Sequence, residues 1–487
     1  MKGARPSSCP ETAILTATAT GSAGATHSDG PVAFVTLGCP KNLVDAEMML
    51  GSLHRAGLRI TAHLAEAAIV VVNTCAFVTD AQKESIDAIL DAARLKETGR
   101  LRGLVVTGCL PQRHGASVLE EIPEVDFLLG PGSLAELPGV VRGLLNGTLA
   151  RGARLDGLDR LEAPWEARAL SQGRASAYLK IGDGCDHACA FCVIPDLRGR
   201  HRSRPLEEIL AEAHRLCGAG VQEATLVAQD TTAWGTDLYG EPSLDRLVEA
   251  LDGVEGLRWI RLLYTHPRHW TDRLVTCFDR HARLVPYADI PVQHASDPVL
   301  RRMHRVPNWA ETEALLLRLR RDVPEIVLRT TVITGFPGET EEDFQRLLQM
   351  VGDLEFDHLG AFAYSTEEGT GAARLTGRVP TRLRGQRRDA VLARQRAVSL
   401  RRNRERIGRV LEVLVESVDQ GKGVARGRWA GQAPEIDGAV VLTPAASGSD
   451  HPPAAKRLPD PGTFVRVRIT GAGPYDLTAS LEEEVSS

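Results

Sequence analysis

From residue 32 the chain alternates short apolar runs with amphipathic stretches: 32–37 apolar, 42–56 amphipathic, 69–72 apolar, 81–95 amphipathic, 104–107 apolar. Read by hydrophobic period, this is strand, helix, strand, helix, strand. The alternation predicts a parallel sheet covered by helices, a doubly wound α/β domain over residues 32–146. A second, longer alternation places strands at 178–181, 224–228, 259–263, 287–292, 327–333 and 358–364, with helices such as 206–216 and 341–351 between them. Six such units over residues 175–405 predict a partial parallel (β/α)6 barrel, shorter than the closed eight-unit form, with its chemistry at the C-terminal strand ends. The polar, Arg-rich stretch within 147–174 reads as a linker, and the Arg-rich segment 382–409 as an exposed helix whose long stems cover apolar surface. From 406 to 487 the texture changes to Val-rich runs at 410–415, 438–442 and 464–469 separated by Gly and Pro, which predicts a small antiparallel β-barrel. Residues 1–31 are rich in Ala, Thr, Ser and Gly, hold no signal-peptide core, and read as a flexible tail.

Composition narrows the class. A chain of 487 residues fits three domains at roughly 150 residues each. With 43% hydrophobic and 25% charged residues and a net charge of -5, it is an ordinary globular protein. A pI near 6.3 argues against a protein built to coat phosphate backbones. No stretch approaches the roughly 18 apolar residues of a membrane span, so a cytoplasmic location is expected. In that reducing compartment nine cysteines point to metal ligands or redox groups more readily than to disulfides.

The sharpest signal is the run Cys185-Asp186-His187-Ala188-Cys189-Ala190-Phe191-Cys192, directly after the first barrel strand. Three thiolates on one loop can hold three irons of a four-iron cluster and leave the fourth open to a small molecule, whereas an electron-transfer cluster usually has four cysteines. A structural zinc site is the alternative, but it normally wants four ligands in Cys-x-x-Cys pairs. Cys39, Cys75 and Cys109 each fall just past an expected parallel strand, where ligands gather in open α/β sheets. They can ligate a second cluster with an open iron, or be three unrelated buried thiols. Cys9 lies in the tail, and Cys217 and Cys277 in helices where packing is the better reading.

The Cys185–Cys192 run ahead of a six-unit barrel resembles the radical S-adenosylmethionine (SAM) superfamily. With the second triad, the chain from residue 32 onward resembles the methylthiotransferases, which have an N-terminal methylthiotransferase domain, a radical core and a C-terminal TRAM barrel. The stretches Gly38-Cys39-Pro40-Lys41-Asn42-Leu43-Val44-Asp45, Ile290-Pro291-Val292-Gln293-His294-Ala295-Ser296 and Ala433-Pro434-Glu435-Ile436-Asp437-Gly438, with the late Tyr475-Asp476-Leu477, are similar to the branch that modifies an aspartate of small-subunit ribosomal protein twelve. The tRNA-adenosine branch usually reads Gly-Cys-Gln-Met-Asn at the first of these.

The resemblance implies two 4Fe-4S clusters, on Cys39, Cys75 and Cys109 and on Cys185, Cys189 and Cys192. It implies SAM as both methyl donor and radical source, a sulfur source, and a low-potential electron donor such as flavodoxin or ferredoxin. Its other expected SAM contacts are Phe191, Gln229, Asp230, Gly335 and Glu339. Each has a plainer reading: Phe191 as a core aromatic, Asp230 as a cap, Gly335 and Gly338 as turn residues. Thr340 with Asp343 could form a helix capping box beside Glu339, and His294 could be structural. Thr331 stands where many radical enzymes have Gly, which leaves the adenine contact in that strand open. The segment 410–487 carries 7 Lys plus Arg against 11 Asp plus Glu, so an acidic barrel could attract a basic ribosomal protein, with Glu435 and Asp437 as the recognising acids. The competing readings are a tRNA methylthiotransferase, an electron carrier or cluster scaffold, and a cobalamin-dependent radical methylase. The last is disfavoured by the absence of an Asp-x-His-x-x-Gly motif.

Overall fold

The computed structural model describes residues 13–15, 30–159, 165, 168–171, 175–443 and 458–482. Cys9 lies outside them, as do most of the segment read as a tail and parts of the one read as a linker.

The first sheet is built from β1 (Ala13–Leu15), β2 (Val32–Thr36), β3 (Ile60–Thr61), β4 (Ile69–Thr74), β5 (Gly103–Gly108), β6 (Phe127–Leu129) and β7 (Gly152–Arg154), in the order β1-β2-β4-β5-β6-β7 with β3 beside β2. All pairings are parallel except β1 with β2. β2, β4 and β5 are buried along their whole length and apolar up to the polar residues Thr36, Asn73, Thr74 and Thr107 at their C-terminal ends, as strands covered on both faces must be. Two expectations are corrected here. Ala13–Leu15, inside the segment read as a tail, pairs with residues 34–36 and covers the half of the β2 edge that β3 leaves free. Gly152–Arg154, inside the segment read as a linker, extends the sheet beside β6. In that same segment Arg168 is buried, bridging Glu47 of the helix Pro40–Arg55 at 2.6 Å and Glu212 of the helix Leu206–Gly218 at 2.7 Å. Its charge signals a desolvated joint between two domains, not solvation.

The central sheet holds six parallel strands: β8 (Ser176–Lys180), β11 (Glu223–Val227), β12 (Trp259–Leu262), β13 (Leu284–Asp289), β14 (Val327–Thr334) and β15 (His358–Ala363), in sequence order across the sheet. A short antiparallel ladder of β9 (Gly182–Asp183) and β10 (Arg202–Ser203) brackets the loop that carries Cys185, Cys189 and Cys192. Along each strand the side chains divide between two cores. Leu179, Leu226, Leu262 and Leu328 pack with the surrounding helices. Tyr178, Val227, Val285, Tyr287 and Val327 share a core with Leu43 and Val44 of the helix Pro40–Arg55 and with Leu414 and Ala433 of the C-terminal domain. The open barrel is thus filled from its flank and its base by the two neighbouring domains.

The C-terminal domain is a closed barrel of β16 (Val410–Asp419), β17 (Val424–Trp429), β18 (Val440–Thr443), β19 (Phe464–Ala472) and β20 (Leu477–Leu481), in the order β16-β17-β18-β20-β19. The expectation of a purely antiparallel barrel is corrected at one pair: β18 and β20 run parallel. This barrel docks on the N-terminal ends of the central strands. Arg428 reaches Glu223 at 2.5 Å, and Asp437 accepts from Tyr287 at 2.7 Å and faces Arg329 and His358. Asp437, expected on a recognition surface, is therefore a buried domain contact, while Glu435 is exposed. Cys217 and Cys277 sit in the helices Leu206–Gly218 and Asp272–Arg280. Among the described residues no helix is long and apolar enough to cross a membrane.

Candidate active site

Two cysteine triads meet where the C-terminal strand ends of both sheets converge. Cys39 follows β2 and caps the helix Pro40–Arg55, Cys75 follows β4, and Cys109 opens the helix Cys109–His114 directly after β5. The turns that bring them together depend on glycine. Gly38 and Gly108 have φ of 98° and 92°, and a Cβ on Gly108 would lie 2.5 Å from the Thr74 carbonyl oxygen. Side-chain amides then tie the three loops. Asn42 donates to the carbonyls of Leu37 and Thr74, Asn73 donates to that of Asn42, and the Thr74 hydroxyl donates to that of Thr107. Cys75 packs on Gly38, and its peptide is clasped at both ends by the Ser85 hydroxyl.

The second triad lies on the loop after β9. Its fold is held by Cys185 N–H donating to the Gly199 carbonyl, Cys192 N–H to that of Cys189, and Ala190 N–H to that of Met303. Burial pushes the Cys185 and Cys192 thiols up to about 12, so on their own they stay protonated. Thiolates there require a cation to bind. Arg305 donates to Cys189 Sγ at 3.7 Å.

Both triads suit a polynuclear cluster better than one ion. Ligands of a single zinc crowd within about 4 Å of one another, given Zn–S bonds of about 2.3 Å. Among the described residues the His, Cys, Asp or Glu group with all its ligand atoms within 4.8 Å is His187, Asp230 and His269, and neither cysteine triad is that compact. Three thiols spread wider match a four-iron cluster better than a single ion.

Between the triads runs a buried ionic network that the sequence reading missed. Arg198 donates to Asp45 at 2.7 Å, to Asp183 at 3.2 Å and to Asn42 at 2.6 Å, and it neighbours Cys109. Lys180 donates to Asp45 at 2.7 Å and to Asp183 at 2.6 Å. Burial opposes ionisation of Asp183, but Lys180 and Arg198 prevail and hold its carboxyl far below the usual range. Lys41, 7% exposed, stands 3.3 Å from the Tyr264 ring centroid. The visible hint was the stretch 38–45, in which Lys41 and Asp45 stand one helical turn apart.

The other expected contacts divide. Gln229 donates to Asp183 at 2.7 Å and leaves its buried Oε1 without a hydrogen bond. Asp230 accepts from His187 at 2.7 Å and from His269 at 2.8 Å, and also caps the turn Thr231–Ala233. Burial would raise its pKa, but these bonds hold the carboxyl well below the usual range. His187 also stacks on His266 at 3.8 Å between ring centroids. This histidine group escaped the sequence reading because His266 and His269 follow a different strand. Phe191 is half-buried and edge-on to Phe336.

Glu339 is turned inward. Its carboxylate accepts from Gly335 N–H and from Arg387, so it fastens the loop after β14, and Gly335 makes room for Arg384. The capping box of Thr340 and Asp343 forms. His294 is fully buried, accepts from Ser296 N–H through Nδ1 and has its Nε2 3.4 Å from Glu339.

Three family descriptions match in series: uncharacterized protein family UPF0004 over residues 31–130, the radical SAM superfamily over 179–351 and the TRAM domain over 407–481. The chain is 46% identical over 448 residues to the ribosomal protein uS12 methylthiotransferase RimO of Pelotomaculum thermopropionicum, covering 92% of this chain and 98% of that one. The chain belongs to the RimO family. The RimO of Desulforudis audaxviator is 47% identical, over 92% of this chain and 96% of its own, and that of Geobacter sulfurreducens 43%, over 92% and 98%. Among solved structures, the cobalamin-dependent SAM radical enzyme OxsB with aqua-cobalamin and SAM bound superposes with a TM-score of 0.50 at 12% identity, covering 75% of this chain and 56% of that one. That likeness concerns the fold alone. As a RimO-family protein the chain is a radical SAM methylthiotransferase, a transferase that uses SAM and 4Fe-4S clusters.

Proposed function

We propose that this enzyme attaches a methylthio group to the β-carbon of an aspartate in ribosomal protein uS12, with Cys185, Cys189 and Cys192 holding the cluster that binds SAM and Cys39, Cys75 and Cys109 holding the sulfur-delivering cluster. The observation that carries it is the convergence of two three-thiol sets, neither compact enough for a single ion, at the C-terminal strand ends of two sheets. When bound, SAM and the clusters supply a carbon-centred radical and a methylated sulfur, the means to functionalise a C–H bond that no ordinary base could deprotonate at neutral pH.

The chain's own residues then orient and shield. Gln229 offers its free Oε1 and Phe191 its half-buried ring to SAM, while Asp230 fixes the cysteine loop through His187. Glu339 and Gly335 shape the loop that borders the site. The buried network of Asp45, Lys180, Asp183 and Arg198 keeps the two triads in register. A sulfur source and a low-potential donor such as flavodoxin or ferredoxin complete the requirements, and the cytoplasm is the place where such a substrate is met. The test is anaerobic reconstitution with iron, sulfide, SAM and reductant, followed by mass spectrometry of uS12 and of digested tRNA. A methylthio adduct on uS12 is expected. An adduct on tRNA alone would overturn the assignment.

A further inference from the structure

We infer that Lys41 is the specificity-determining cation that receives the carboxylate of the side chain to be modified. The inference rests on the proposed protein substrate and names the group by which the site selects it.

The position of Lys41 is unfavourable in three independent ways. It is more than nine-tenths buried, and a buried ammonium without an anion is costly. It occupies the first turn of the helix Pro40–Arg55, where the backbone N–H groups present partial positive charge and disfavour a cation. It also pairs directly with no acid. The nearest acids are already committed: Asp183, with Asp45, to Lys180 and Arg198, and Asp289 to Arg329 at 2.7 Å and to the Tyr264 N–H at 2.8 Å. Two cations face two carboxylates in the first group, and in the second Arg329 is shared by Asp289 and Asp437, so each acid is held by a cation of its own group and none pairs with Lys41. Among the described residues it has no ion pair or hydrogen bond, and its neighbour is the face of Tyr264.

That face is set by an unusual backbone, since Tyr264 has φ of 57° just past the end of β12. Two residues on, His266 stacks against His187 of the Cys185–Cys192 loop, and two residues before Lys41 stands Cys39. Lys41 therefore lies near Cys39 and against the segment that leads through His266 to the Cys185–Cys192 loop, where we place the reacting side chain. A carboxylate brought there meets a cation pre-positioned on an aromatic face, short of an anion, in a place poor in water. Its uncharged amide analogue would leave the ammonium unmatched. A charge-assisted hydrogen bond to such a group contributes a factor of about ten to a hundred in affinity.

The competing role for Lys41 is to balance the charge of the iron–sulfur group held by Cys39, and the experiment separates the two. Binding of full-length uS12 and of its variant with the target aspartate changed to asparagine is measured on the reconstituted, SAM-loaded enzyme without reductant, with iron content determined alongside. Wild type should prefer the aspartate form about ten- to a hundredfold. Lys41→Met, close in shape and free of charge, should bind the two forms within about twofold of each other, because the coupling between the two sites is lost. Equal affinity of the wild type for the two forms overturns the inference without any variant. So does a Lys41→Met enzyme that keeps the full preference, whatever its iron content. Failure of wild type to bind or modify uS12 in either form would instead strike the proposed function, and is recognised because it does not depend on Lys41.

Discussion

At the scale of single residues, the six thiols divide, on the proposed assignment, into two non-interchangeable sets. Replacing Cys75 by Ala removes one ligand of a three-ligand site, so the reconstituted enzyme should lose about half its iron, since a cluster held by two thiolates is poorly retained. SAM cleavage without substrate should persist in that variant. Replacing Cys189 should also halve the iron, but abolish cleavage. Iron and sulfide counting beside a deoxyadenosine assay checks both, and an unchanged iron content in either variant would contradict its assignment. Cys39, Cys75 and Cys109 were legible in the sequence because each follows a strand end, and Cys185, Cys189 and Cys192 because of their spacing on one loop. Lys41 and Arg198 were not, since what matters about them is the company they keep: Arg198 is fully buried against Asp45, 153 residues away in the chain.

At the scale of elements, the joint between the C-terminal barrel and the central strands depends on Glu223, which starts β11 and is shared by Arg261 and Arg428. Burial alone would raise its pKa. The two guanidinium groups prevail and lower it from 4.5 to about 2. A carboxyl depressed in the folded state contributes stability that is complete above pH 4.5 and is lost as pH falls towards 2. Glu223→Gln should therefore cost roughly 3–5 kcal/mol at pH 7, by leaving buried guanidinium groups uncompensated. It should also flatten the loss of stability between pH 4.5 and 2. Denaturant melts across that range provide the check, and parallel curves for the two proteins would refute it. Most elements were readable from hydrophobic period, and the exceptions share a cause. β7 is Gly-Ala-Arg and β1 only three residues long, too short for any pattern, and each becomes a strand through the edge it covers. β17 and β20 went unread for want of a strong apolar run, and the parallel pairing of β18 with β20 is a property of closure that no single strand encodes. Asp437 looked like a surface acid because its partners Tyr287, Arg329 and His358 belong to another domain.

At the scale of the whole molecule, the three domains behave as one body. A chain cut by protease within residues 155–159 should remain a single particle on size-exclusion chromatography, even at 1 M salt. The halves share the Glu47–Arg168–Glu212 bridge, the Asp45–Lys180–Arg198 network and an apolar core, all too buried for ions in solution to screen. Separation into two peaks would show the joint to be weaker than its burial implies. Buried charge of this kind also acts as a fixed gauge. Opening the seam would strand desolvated ions at a cost of about 3–5 kcal/mol, so at any instant fewer than about one molecule in a hundred has it open. The span between the two sulfur-bearing rims is then as invariant as the jaws of a set caliper, and the molecule cannot stretch to suit its guest. On the proposed assignment reach becomes the criterion, and a side chain longer by one methylene would carry its carbon past the meeting point.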